Sequence, residues 1–264
     1  MADNAQYILI ALTAFTGAGL TFFSGFGLGT LLTPVFATFF PLEIAVALTA
    51  IVHLLNNLFK LYLVGNQANR AIVIRFGIPS MIAAFAGAYC LEQLGNYHQP
   101  IFTYMVASKM GVVTPLGIIM GLLLIIFALF EIIPALAQLS FDKRFLPVGG
   151  LLSGFFGGLS GHQGALRSAF LMKVGLEKTA FIGTGVAIAC LIDVSRLTVY
   201  FNKSAHLTQM MHIGILTTAT LSAFLGAYLG NKFLKKMTIV TLQHMVAVAL
   251  ILFGLGLITG LIGK

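Results

Sequence analysis

The residues best suited to chemistry in this chain of 264 residues are polar groups set in apolar surroundings. His162 and Gln163 sit in the run Gly161-His-Gln-Gly164, and Arg167 follows three residues after Gly164. All lie inside Gly149–Met172, a stretch otherwise apolar enough to enter a bilayer. An arginine at the centre of a membrane costs about 2.5–3.5 kcal/mol on insertion scales, so its presence there needs a reason. A broken membrane helix supplies one. The break frees backbone N–H groups, which together with a nearby cation hold an anion. His162 and Gln163 would donate to that anion, and His162 is also a proton-coupling candidate. The structural alternative is that both side chains cap backbone groups freed at the break.

A second set lies in other apolar segments. Asp193 and Arg196 are spaced i,i+3, so they share a helix face and can pair. In a transport site Arg196 would reach the substrate, and Asp193 would orient it or take up a proton. The alternatives are a structural ion pair, or an Arg196 that snorkels outward. His53, Asn56 and Asn57 fall within about one turn of another apolar segment, where three polar groups are costly unless they line a cavity. Lys60, near the end of that segment, is expected to snorkel, and Glu131 to be a solvated carboxylate. The remaining histidines (His98, His206, His212 and His244) show no metal-ligand spacing. No HExxH, Walker A or GxSxG pattern occurs, so neither an enzyme nor a cofactor is expected. Cys90 and Cys190 lie in apolar runs and read as small buried hydrophobes, without a disulfide or metal framework.

The elements that must position these groups are membrane helices. Hydrophobic residues make up 59% of the chain and charged ones 8%, with mean hydropathy +1.01. Soluble domains carry about 25% charged residues. Met1–Tyr7 lacks the basic n-region of a cleaved signal peptide. The formal charge of +8 is spread over short loops and so bears on membrane orientation, with no nucleic-acid partner expected. Apolar runs of about 20 residues, the length that crosses hydrocarbon, cover 42–64, 72–91, 110–133, 179–201, 207–230 and 238–262. Two further segments, 7–41 and 147–175, are interrupted by glycine-rich polar breaks at Ser24–Thr30 and Gly161–Gly164. Seven glycines lie in Gly149–Met172, and each costs a helix interior about 1 kcal/mol relative to alanine.

The two halves resemble each other. Gly29, Ala45 and Thr49 lie 135 residues before Gly164, Ala180 and Thr184, and Phe85-Ala-Gly-Ala-Tyr89 resembles Phe224-Leu-Gly-Ala-Tyr228. Charge decides how the broken segments are threaded. If each is a hairpin entering and leaving on one side, one face collects Arg70, Arg75, Lys143, Arg144, Lys173, Lys178, Lys232, Lys235 and Lys236. The other collects only Lys109, Lys203 and Lys264. Such a bias marks the cytoplasmic face, and single crossings would erase it. The expected fold is therefore an all-α membrane protein of two inverted repeats, each a broken, re-entrant helical hairpin followed by three transmembrane helices. Residues 1–133 form the first repeat, 134–146 the connecting loop and 147–264 the second repeat, with both termini outside. The second arms would begin near Thr30 and Ala165, where helix starts offer N–H groups and about half a positive charge. Gly117/Gly121 and Gly226/Gly230 have the small-xxx-small spacing of closely packed helices.

The glycine-rich stretch Gly25-Phe-Gly-Leu-Gly29 before Pro34, and its echo Gly154-Phe-Phe-Gly-Gly-Leu-Ser-Gly161 before Gly164, resemble the TauE/SafE family of membrane permeases. So does the spacing to Ala45/Thr49 and Ala180/Thr184, and the resemblance covers nearly the whole chain. It implies a transporter of the bacterial inner membrane, of a kind assigned to export of sulfite or organosulfonates. The family's run of consecutive glycines is replaced here by Gly-Leu-Gly-Thr and Gly-His-Gln-Gly, so the particular anion is not carried over.

The expected function is secondary transport of a small anion by alternating access, with proton coupling through Asp193 or His162. Its substrate site would comprise Thr30, His53, Asn56, Asn57, His162, Gln163, Arg167 and Arg196. The alternative is a cation or metal-ion carrier using Asp193 and the histidines; an intramembrane enzyme and a passive channel or scaffold are weaker rivals. The expected partners are the lipid bilayer and a small anionic substrate, with homo-oligomerisation left open.

Overall fold

The computed structural model describes residues 4–24, 27–97, 99–106, 109–137, 139–203, 212–233 and 239–263. The expectations for His98, His206, Lys235, Lys236 and Lys264 lie outside the described residues. So do those for the side chains of Lys109, Glu131, Lys203 and Lys232. In chain order the helices are α1 (Asn4–Ser24), α2 (Leu28–Ala37), α3 (Leu42–Val64), α4 (Arg70–Gly95), α5 (Pro115–Ile132), the single turn α6 (Pro134–Ala137), α7 (Leu146–Ser160), α8 (Gly164–Leu171), α9 (Lys178–Lys203), α10 (Ile213–Phe233) and α11 (Ile239–Ile258). Among the described residues, α3, α4, α9 and α10 are long and apolar enough to cross a membrane; α2, α5 and α11 carry shorter apolar windows.

One expectation needs correction. The run over 110–133, expected as a membrane helix, does not begin as one: β1 (Phe102–Val106) and β2 (Lys109–Val113) form an antiparallel hairpin, with Phe102 opposite Val113. Thr103, Tyr104, Val112 and Val113 are strand formers. The hairpin is held to the end of α11 by Tyr104, whose hydroxyl donates to the Thr259 carbonyl at 2.7 Å, and by the Val112 N–H, which donates to Gly260 O at 3.1 Å. Helix α5 therefore starts only at Pro115, with the Thr114 hydroxyl accepting from the Gly117 N–H at 3.0 Å. Helix α4 starts at Arg70, ahead of the expected Ile72, because Asn69 caps it, accepting from the Ile72 N–H at 3.2 Å. In the loop before α7, Asp142 accepts from the backbone N–H and then the Nε of Arg144, which holds its carboxyl below the usual carboxylate range.

Both expected breaks are present. Helix α1 stops at Ser24, and α2 starts at Leu28 after Gly27, whose φ is 145°. Helix α7 ends at Ser160 with Gly161 in the left-handed region (φ 80°), a conformation that glycine adopts without strain. In each case the second arm folds back along the first. Beside α7, the ring of Phe170 near the end of α8 lies against Gly149, and the Phe141 N–H donates to Ala169 O at 3.2 Å. Both ends of this hairpin are thus on one side. At the other hairpin, Tyr7 near the start of α1 approaches Gly214, and Phe40 just after α2 lies 6.0 Å from the ring of His212.

Packing is reciprocal between the halves. Helix α4 lies along α7 and α10 along α1; α3 pairs with α9 and α5 with α11. Helices α3 and α9 run antiparallel, with Gly183 against Val64 and His53 beside Asp193. The mouth of the α7–α8 hairpin lies near the start of α9, and that of the α1–α2 hairpin near its far end. The sequence echo around Phe85 and Phe224 has a steric cause. A methyl group on Gly87 would run into the Phe155 carbonyl of α7, and one on Gly226 into the Phe15 carbonyl of α1. Gly117 faces Leu257 O, Gly121 faces Gly254 O and Gly230 faces Gly19, the close packing that the small-residue spacing predicts. Gly87→Ala and Gly226→Ala should each destabilise the fold by about 1–3 kcal/mol, as overpacking does. The readout is a lower thermal-unfolding midpoint of the purified protein.

Candidate functional site

Helix α3 turns His53, Asn56, Asn57 and Lys60 to one side, because positions i, i+3, i+4 and i+7 share a helix face. That face meets α9, which presents Asp193 and Arg196. All six are buried: Asp193, Arg196 and Asn56 are fully shielded, and Lys60 is 1% exposed. The expectation that Lys60 snorkels is therefore overturned. It lies on the inward face, with Arg167 of α8 within electrostatic reach, rather than on the side open to the surroundings.

Asp193 is the hub. Its Oδ1 accepts from Arg196 Nη2 at 2.7 Å, from Arg196 Nε at 3.0 Å and from Gln163 Nε2 at 3.4 Å. Its Oδ2 accepts from His53 Nδ1 at 2.7 Å and Asn57 Nδ2 at 3.2 Å. The i,i+3 ion pair expected from spacing is thus present, enlarged by donors from α3 and from the break. Gln163 passes the network on, its Oε1 accepting from Arg167 Nη1 at 3.2 Å. Arg167 is 7% exposed and within electrostatic reach of both Lys60 and Asp193. Arg196 and Arg167 thus lie around one carboxylate, with Lys60 near Arg167.

The two breaks meet at this cluster. A Cβ on Gly29, in the first turn of α2, would stand 3.5 Å from the Gly161 carbonyl oxygen and 3.7 Å from the ring of His53. A Cβ on Gly161 would stand 3.0 Å from Arg196 Nη1 and 4.0 Å from Thr33 Oγ1. Thr30 is buried in that same first turn of α2. Neither α2 nor α8 has a side-chain cap, whereas α4 and α5 do. The first N–H groups of a helix have no partner within it, so at these starts they turn to partners outside the helix. At the other arm's end, Tyr200 donates to the Gly158 carbonyl and Arg196 Nη1 to Gly157 O at 3.4 Å. Ser153 ties the break to α7 by donating to Gln163 O at 3.0 Å.

His162 stands apart from the Asp193 network. It is 3% exposed and stacks on Phe127 of α5, with ring centroids 5.5 Å apart and planes 9° apart. Its Nδ1 lies 2.9 Å from Ser160 O. Its Nε2, both amide atoms of Asn56 and the hydroxyl of Thr33 are buried and have no hydrogen-bond partner among the described residues. Thr33, Phe127, Ser153, Ser160 and Tyr200 escaped the sequence reading, and Lys60 was expected to face outward. Only Lys60 carried a signal, its i+7 spacing from His53.

The geometry makes Asp193 a poor cation ligand, since both oxygens already face donors. Among the described residues no three His, Cys, Asp or Glu are grouped so as to hold a metal ion. Removing the carboxylate strands Arg196. Asp193→Leu and Arg196→Leu should each cost about 3–5 kcal/mol of stability, and the double variant much less than the sum. A double-mutant cycle on thermal unfolding measures this.

The family described as sulfite exporter TauE/SafE matches residues 9–257, nearly the whole chain. No curated protein and no solved structure matches it. The match spans both broken hairpins, the α3–α9 pair and the buried cluster, and bears out the resemblance read from the glycine motifs. Helices long and apolar enough to cross a membrane agree with it, and this multi-pass membrane protein belongs to the sulfite exporter TauE/SafE family of membrane transporters.

Proposed function

We propose that the chain carries a small anion, a sulfur oxyanion or organosulfonate, by alternating access between two inverted halves in the cell inner membrane. The observation that supports this reading most is the meeting of the two uncapped helix starts beside Arg167 and Lys60. Helix starts carry about half a positive charge, and the cluster already holds more cations than carboxylates, so an anion balances it. Arg167 and the starts of α2 and α8 at Thr30 and Gly164 make the charged contacts; His162, Gln163 and Asn56 complete the site. His53, Asn57 and Arg196 position it through Asp193, and a proton enters through His162 or Asp193.

The reciprocal packing supports the inverted-repeat part of the reading. The hairpin mouths lie at opposite ends of the α3–α9 pair, so rocking one hairpin-bearing half against the other would open the centre to alternate sides. The charge bias supports an orientation with Arg70, Lys143 and Lys173 on the cytoplasmic side.

Two measurements test this. In a thermal-shift screen against sulfite, sulfate, thiosulfate, organosulfonates and carboxylates, a bound anion raises the unfolding midpoint. Arg167→Gln should weaken binding about 10- to 100-fold; unchanged affinity for every anion would overturn the site. For topology, a membrane-impermeant thiol reagent on intact cells should label Gln99→Cys and spare Lys143→Cys, in a background with Cys90 and Cys190 replaced by alanine. The reverse pattern would overturn the orientation.

A further inference from the structure

We infer that the site takes its anion with a proton on it: a monoanion bearing an O–H group, which donates to Nε2 of His162. This rests on the anion-site reading above and narrows its substrate class. The tautomer of His162 follows from its neighbours. Nδ1 faces the Ser160 carbonyl oxygen at 2.9 Å and Ser160 Oγ at 3.2 Å. A carbonyl oxygen can only accept. The Ser160 hydroxyl donates its one hydrogen to Phe156 O at 3.0 Å, so toward His162 it too can only accept. Nδ1 therefore carries the hydrogen, and the neutral ring presents a lone pair at Nε2.

The other groups around the ring do not serve Nε2. Phe127 from α5 covers one face. Arg196 from α9 directs Nε and Nη2 to Asp193 and Nη1 to Gly157 O. No described residue donates to Nε2. Asn56 makes the same demand from α3. Whichever way its amide is turned, it offers one acceptor and one donor, both buried and without a described partner.

An oxyanion stripped of protons offers only acceptors. It would satisfy the helix starts and Arg167 but set an oxygen lone pair against Nε2. A hydrogen oxyanion satisfies both, with its charged oxygens on the cations and its O–H on His162. Among sulfur oxyanions, hydrogen sulfite fits this demand, while the sulfite dianion, sulfate and simple sulfonates do not. The cargo then brings its own proton to the site.

Methylphosphonate and methanesulfonate provide the test. At about pH 7 both are chiefly monoanions of the same shape, and an imidazole of ordinary basicity is neutral; only methylphosphonate carries an O–H. Calorimetric titration of the purified full-length protein should show methylphosphonate binding at least about 10-fold more tightly. His162→Phe, which keeps a ring against Phe127, should bring the ratio of the two affinities close to one. Equal or tighter binding of methanesulfonate, or an unchanged ratio in His162→Phe, overturns the inference while leaving the anion site standing. If neither these anions nor sulfite bind the wild type, the anion-site reading fails and this inference fails with it. Should His162→Phe not fold, the wild-type ratio alone decides.

Discussion

A carboxylate cut off from water must be met by donors on both of its oxygens, and the interior of this protein is built around one such group. Asp193 draws Arg196 from its own helix, His53 and Asn57 from α3, and Gln163 from the break between α7 and α8. Those contacts hold α3 against α9 and both against the break between α7 and α8. Burying charge is unfavourable unless it is paired and hydrogen-bonded, so the network leaves little freedom in how these three segments meet. With the amide of Gln163 turned toward Asp193, its oxygen is left for Arg167. The position of the second buried arginine is thus a consequence of the first ion pair.

Folding two arms back inside a membrane protein creates a second constraint, since the neighbouring helices must come very close. Lipid offers no hydrophobic force between helices, so close approach depends on small residues and van der Waals contact. Glycines at the crossings of α4 with α7 and α10 with α1 meet that need in the same way in both halves. The repeated Gly-Ala-Tyr motif marks these crossings. The glycines of the breaks have a different task, because Gly27 and Gly161 hold positive φ angles that reverse the chain.

The two buried histidines show how the same side chain is given opposite characters by its partners. His53 is oriented by a carboxylate and belongs to the ion network. His162 is oriented by a backbone carbonyl and stacked on Phe127, which leaves its second nitrogen facing the interior. The first is tied into the network; the second keeps a buried nitrogen with no partner among the described residues.

Much of this organisation is local and therefore legible in the sequence. Runs of apolar residues of spanning length, glycine-rich interruptions at Ser24–Thr30 and Gly161–Gly164, and the i,i+3 spacing of Asp193 and Arg196 depend only on residues near one another along the chain. The two breaks, the ion pair and the four spanning helices were read correctly because helix periodicity and helix breaking act over a turn or two. The hairpin of Phe102–Val113 was missed, since its strands are held by carbonyls at the end of α11 that no local pattern reveals. Lys60 was misread for a related reason. A lysine near a helix end can snorkel or turn inward, and only the packing of the fold around α3 decides between them. His53 meets Asp193 across 140 residues of chain, and Gly29 meets Gly161 across the two halves. Such meetings arise when packed helices bring distant backbones together, so the polar inventory of the site was set by the chain itself and its arrangement by the tertiary fold.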